Sequence, residues 1–161
     1  MTLLKNIFSV FILFLLTVSI SSCDESNPFE VDYSDAPEPF DIENTTMVES
    51  ESGLVYYIVE EGSGAFEVEI RDAVRVYYTG RKVDTGEIFD SSYRNGNQSP
   101  TTFNSLDNLI EGFREGLIGM KEGEKRVLII PPDLGYGDSP NSSLRNDTLR
   151  FDVELAAILS N

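Results

Sequence analysis

Val76-Tyr77-Tyr78-Thr79-Gly80 is followed nine residues later by Phe89-Asp90-Ser91-Ser92, and apolar or aromatic residues return at Phe103, Leu109, Ile110, Phe113, Tyr136 and Phe151. The set contains one acid, Asp90, and no nucleophile with a base beside it. Residues of these types build an aromatic-walled pocket that holds something rather than attacks it. The chain has no histidine, so Ser91-Ser92 lack the base that a hydrolytic triad requires. Cys23 is the only cysteine, which leaves no Cys/His cluster for zinc. Gly112-Phe113-Arg114-Glu115-Gly116 lies within a helical pattern with no strand before it, unlike a phosphate loop. No metal and no cofactor is expected.

The elements that must position these residues follow from hydrophobic period and turn chemistry. Residues 54–59, 73–82, 88–89, 101–103, 124–130 and 148–159 read as strands, bounded by Gly, Pro, Asn and Ser. Between them Ser105 caps an expected helix whose apolar face is Leu106, Leu109, Ile110, Phe113 and Leu117, ended by Gly119 and Gly123. Pro131-Pro132 stops the strand before a polar loop over 133–147. Strands that do not alternate with helices give an α+β domain, an antiparallel β-sheet wrapped around one short α-helix.

The N-terminus is organised differently. Lys5 precedes an apolar run over 7–20, shorter than the ~20 residues of a spanning helix, and then Ile20-Ser21-Ser22-Cys23. This resembles the lipobox of a bacterial lipoprotein: residues 1–22 are a signal peptide and Cys23 carries the lipid. A plain signal peptide with a stray cysteine and an uncleaved anchor are the alternatives. No Lys or Arg occurs between positions 6 and 70, while fourteen of the twenty-eight acids lie between Asp24 and Glu69. Residues 23–51 are therefore expected to be an acidic disordered tether, with the folded domain at 52–161. The formal net charge of −16 argues against nucleic acid as a partner. Asp24-Glu25 directly after the lipidated cysteine points to the outer membrane.

The motifs above, in their order and spacing, resemble the FKBP family of peptidyl-prolyl cis-trans isomerases over residues 53–159. The resemblance implies that Tyr78, Phe89, Asp90, Ile110, Tyr136 and Phe151 act in catalysis, with Phe103, Leu109, Phe113 and Leu144 binding substrate. The Ile110 backbone amide would meet a substrate carbonyl, and the Tyr136 hydroxyl would hold the ligand. It further implies rotation about X–Pro bonds of exported polypeptides by a monomer, with membrane attachment through the lipid and macrolide ligands held weakly. Three departures stand out: Phe113 replaces the family's Trp floor, Thr101 replaces a wall aromatic, and Ser143-Leu144-Arg145 replaces Ile-Pro-Pro, with Leu144 in the apolar role.

Each assignment has a plainer rival. Phe89, Phe103, Phe113 and Phe151 are equally the residues of a core, Asp90 suits a turn, and Arg94 either pairs with Asp90 or is solvated. Tyr77 faces away from Tyr78, since strand neighbours alternate. Two other functions remain open: a binding or chaperone module without turnover, and a structural lipoprotein.

Overall fold

The β-branched and aromatic runs pair as antiparallel strands in the computed structural model, which describes residues 30–159. The strands are β1 (Thr46–Glu49), β2 (Val55–Glu60), β3 (Ala73–Lys82), β4 (Ile88–Ser91), β5 (Thr101–Phe103), β6 (Lys125–Ile130) and β7 (Leu149–Leu159). They form one sheet in the order β1-β2-β6-β7-β3-β4, with β5 also pairing with β3. The two longest strands, β3 and β7, pair from Ala73↔Leu159 to Lys82↔Leu149. Two short 3-10 turns, Arg94–Gly96 and Pro132–Leu134, interrupt the loops.

The helix α1 (Glu111–Leu117) lies against β6. Gly112 and Gly116 explain the closeness. A Cβ on Gly112 would stand 2.6 Å from Ile130 Cγ2, and one on Gly116 would collide with the Leu128 side chain. The helix buries Phe113 and Leu117 among Val76, Leu128, Ile130, Phe151 and Val153.

The helix is shorter than the 105–117 pattern suggests. The Ser105 hydroxyl accepts the Asp107 N–H at 3.1 Å, and the Leu109 N–H donates to Leu106 O at 3.2 Å. A serine that bonds its own nearby backbone favours a turn over a helix. Leu106 is still fully buried, so its apolar spacing reports burial rather than helix.

The largest correction concerns the expected tether, of which residues 30–51 are described. Val31 onward belongs with the domain, and Thr46–Glu49 add β1 at the sheet edge, paired with Val55 to Ile58. Upstream, the Arg81 guanidinium donates to Pro37 O at 2.6 Å and Arg150 to Phe40 O at 2.6 Å. The Phe40 N–H donates to Asp152 Oδ1 at 2.9 Å. Asp152 and Arg81 are themselves buried and paired at 2.8 Å. Hydrogen bonds to charged groups are worth about 1.5–3 kcal/mol each, enough to order a polar strip whose own composition would leave it loose. Pro37 and Pro39 help by narrowing the unfolded ensemble. The expected signal peptide, Cys23 and Asp24-Glu25 lie outside the described residues.

Candidate active site

The β3–β4 hairpin supplies the acid and the tyrosine. Gly80 pairs with Asp90 and Arg81 with Ile88, and the register shifts between them, so Phe89 stands at a bulge. The two serines that chemistry excluded as nucleophiles fasten this hairpin. The Tyr78 N–H donates to Ser92 Oγ at 3.0 Å, the Ser91 hydroxyl donates to Tyr78 O at 3.0 Å, and the Ser92 N–H reaches the same carbonyl at 2.9 Å. Both serines are buried. Their role is to fix Tyr78 relative to Asp90.

With the hairpin set, the Tyr78 hydroxyl donates to Asp90 Oδ2 at 2.7 Å. Asp90 Oδ1 accepts the Ser91 N–H at 2.9 Å and lies 3.6 Å from Arg94 Nη1, which decides for the paired reading of Arg94. Burial, and then the hydrogen bond to Asp90, push the Tyr78 phenol far above its ordinary range. The hydroxyl therefore stays protonated and keeps donating.

The aromatic walls meet edge to face and tilted. Phe113 and Phe151 have ring centroids 4.7 Å apart, Phe89 and Phe151 5.4 Å, Tyr78 and Phe113 5.7 Å, and Phe103 and Phe113 6.0 Å. Such pairs are mutually attractive and geometrically specific. Tyr77, on the other side of the strand, stacks on Tyr93 at 5.7 Å. Gly80 makes room for the walls, since a Cβ there would stand 2.7 Å from Phe89 Cζ and 2.8 Å from Phe151 Cε1.

These residues line a cavity of about 210 Å³ together with Asn108, Leu109, Ile110 and Tyr136. Phe103 enters from β5, and Ile110 precedes α1 with extended dihedrals, φ −59° and ψ 147°. Its N–H is thus among the donors at a helix start that have no intrahelical partner. Tyr136 is 38 % exposed at the rim; its phenol is raised by burial and then by the charge of Asp90. The loop that carries it is tied by Gly137 N–H to Pro132 O and Asn146 N–H to Gly137 O.

Nine of the ten expected site residues line this cavity. Leu144 does not: it is buried in the hydrophobic core, in a turn where its N–H donates to Ser142 Oγ at 3.1 Å. Asn108 was not legible as a pocket residue; only its place before Leu109-Ile110 hinted at it. A larger cavity of about 520 Å³ lies elsewhere, lined by Phe66, Ile158 and four carboxylates. None of the expected residues borders it, and Glu67 and Glu122 are held by Lys121 and the Ile158 N–H. The smaller cavity is the one with convergent chemistry.

Residues 64–156 match the family described as FKBP-type peptidyl-prolyl cis-trans isomerase. The chain is similar to the FKBP-type peptidyl-prolyl cis-trans isomerase FkpA of Escherichia coli, 45 % identical over 107 residues that cover 66 % of this chain and 38 % of that protein. It is also similar to FK506-binding protein 1A of Neurospora crassa, 40 % identical over 66 % of this chain and 88 % of the relative. The crystal structure of FkpA superposes with a TM-score of 0.63 at 42 % identity, covering 70 % of this chain and 51 % of that one. The sequence match thus spans 38 % of the length of FkpA, and the structural match about half of its crystallised chain.

Proposed function

This chain belongs to the family of FKBP-type peptidyl-prolyl cis-trans isomerases, and on that premise we propose that it accelerates rotation about X–Pro bonds in exported or envelope polypeptides. Rotation must break amide resonance, a barrier of about 18–20 kcal/mol. The twisted amide is less charge-separated than the planar one. A pocket that removes water and surrounds the proline ring with apolar walls favours the twisted state over the planar ground state. Phe89, Phe103, Phe113 and Phe151 serve as those walls. The Ile110 N–H and the Tyr136 hydroxyl hold the flanking carbonyls, and the bonded pair Tyr78–Asp90 presents polarity at one edge without a free charge. Clients are proline-containing polypeptides, the protein works as a monomer, and macrolide ligands bind weakly because Phe113 is a smaller floor than Trp.

Supporting this reading above all is the convergence of four phenylalanine rings and a tyrosine-bonded acid on one cavity of about 210 Å³. A protease-coupled proline-isomerisation assay on the full chain in detergent tests it. Turnover above background, with preference for an apolar residue before proline, is expected. A folded protein without rate enhancement overturns the enzyme and leaves a proline-segment binding or chaperone module. The withdrawal of Leu144 into the core favours that second reading, because the loop before β7 then lends the pocket only Tyr136.

Cys23 is the attachment point in the same proposal: exported, lipidated, and held at a bacterial membrane, the outer one by the acidic residues that follow it.

A further inference from the structure

The strip over residues 31–40 is hydrogen-bonded to the rest of the domain at both ends, and one end holds a residue of the pocket wall. At its far end it is clamped by Arg81, Arg150 and Asp152. At its near end the Tyr33 hydroxyl donates to Phe89 O at 2.8 Å. One residue earlier, Asp32 and Asn95 exchange two bonds across 63 positions of sequence. The Asp32 N–H donates to Asn95 Oδ1 at 3.0 Å, and the Asn95 N–H donates to Asp32 O at 2.7 Å. Asn95 has φ 54°, a left-handed conformation that asparagine tolerates better than most residues.

Both contacts bracket residues 89–94. That segment carries a wall ring, Phe89; the acid, Asp90; and its ion partner, Arg94. Phe89 sits at the β3–β4 bulge, where the broken ladder bends the strand and re-aims its side chains. The carbonyl grasped by Tyr33 belongs to this bulged residue. The Tyr33 phenol also senses Asp90 and Arg94 directly, being raised first by burial and then by Asp90, with Arg94 opposing.

We propose that residues 31–40 are a strap that sets the pocket's geometry, with Tyr33 as a positioning residue acting through the Phe89 carbonyl and Asn95 as its second fastening point. The inference deepens the isomerase reading and rests on it for its catalytic readout. None of residues 31–40 lines the cavity. It determines where Phe89 and Asp90 stand relative to Phe151 and Tyr78, and a small misplacement of positioned groups is enough to lower a rate strongly.

The test uses full-length protein in detergent, as wild type, Tyr33→Phe and Tyr33→Phe/Asn95→Gly. Glycine at 95 keeps the left-handed backbone while removing the side-chain acceptor. The expected result is a fall in kcat/KM of about three- to tenfold, larger in the double variant. The melting temperature should stay within about 2 °C, and the backbone amide resonances of residues 89–94 should shift. Unchanged kcat/KM in both variants, with an active wild type, overturns the strap. So does a loss of activity that follows a matching drop in melting temperature, since that marks a merely structural role. An inactive wild type defeats the isomerase reading instead. The strap is then judged on the resonances alone, where displaced amides at 89–94 support it and unmoved ones overturn it.

Discussion

Tyr78 and Asp90 form a closed donor–acceptor pair, 2.7 Å between Oη and Oδ2, in which the phenol is 8 % exposed. Removing the acceptor alone strips a part-buried hydroxyl of its carboxylate partner. Asp90→Val should therefore cost about 1–3 kcal/mol of stability as well as activity. Adding Tyr78→Phe should return part of that stability, because both partners are then apolar. Denaturant unfolding of the two single variants and the double one measures the coupling; strictly additive losses would show that the pair does not interact.

The same pair predicts an alkaline limit. Tyr78 has its folded-state pKa raised above the ordinary value, by burial first and then by the bond to Asp90. A raised pKa means that stability is fully present below the unfolded-state value of about 10. It is lost as pH climbs from there toward the folded-state value, because the unfolded chain ionises while the folded one does not. Melting temperature measured from pH 8 to 11 should fall above pH 10 in the wild type and fall less in Tyr78→Phe. Parallel curves would remove Tyr78 as the cause.

Tyr136 and Phe151 should separate ligand contact from core. Tyr136 is at the rim, so Tyr136→Phe should lower kcat/KM by about three- to tenfold, the value of one hydrogen bond, with melting temperature unchanged. Phe151 is 5 % exposed and packs on Phe89, Phe113 and Tyr78. Phe151→Ala should cost about 3–5 kcal/mol and lose turnover too. Paired thermal melts and isomerisation assays check both, and equal losses of stability would contradict the division.

Gly80→Ala should damage activity more than its single methyl suggests. The added Cβ meets Phe89 Cζ and Phe151 Cε1 inside 3 Å. Because the backbone of β3 is locked between β4 and β7, the rings must give way, and overpacking of this kind costs about 1–3 kcal/mol. Isomerisation assays should show a fall in kcat/KM at least as large as that expected for Tyr136→Phe, and ligand titration weaker binding than the wild type. Intact binding would mean that the walls yield freely.

Cys23→Ser should abolish acyl-chain labelling and move the protein from the membrane to the soluble fraction. One acyl chain binds membranes only marginally, whereas more than one holds firmly. Persistent membrane association of the serine variant would point to an uncleaved N-terminal anchor.

How far the sequence carried these conclusions differs from element to element. Strands β3 and β5 lie at the bounds that their residues suggest, because β-branched and aromatic runs flanked by turn residues have one good solution. The pocket aromatics were legible as a set, though not Asn108, whose type says nothing about concavity. Leu144 was misplaced because an apolar residue in a polar loop can point to a ligand or to the core, and only packing decides. The strip over 31–45 was hidden for a deeper reason. Its order comes from Arg81, Arg150, Asn95 and Phe89, partners tens of residues away, and no local period records a hydrogen bond of that range.

The strap also shortens the leash. Were the chain loose to residue 51, the domain could wander roughly 100 Å from Cys23, at about 3.6 Å per residue. With Val31 already belonging to the domain, eight residue steps remain, a span of at most about 29 Å. A domain of this size has a radius of gyration of about 14 Å, so the leash is no longer than the body it restrains. It also departs beside Asn95, just after the strand that carries the pocket's acid. With Cys23 lipidated as proposed, so short a leash would keep the domain close to the bilayer, and chains emerging from, or lying along, that surface would be the ones within its reach.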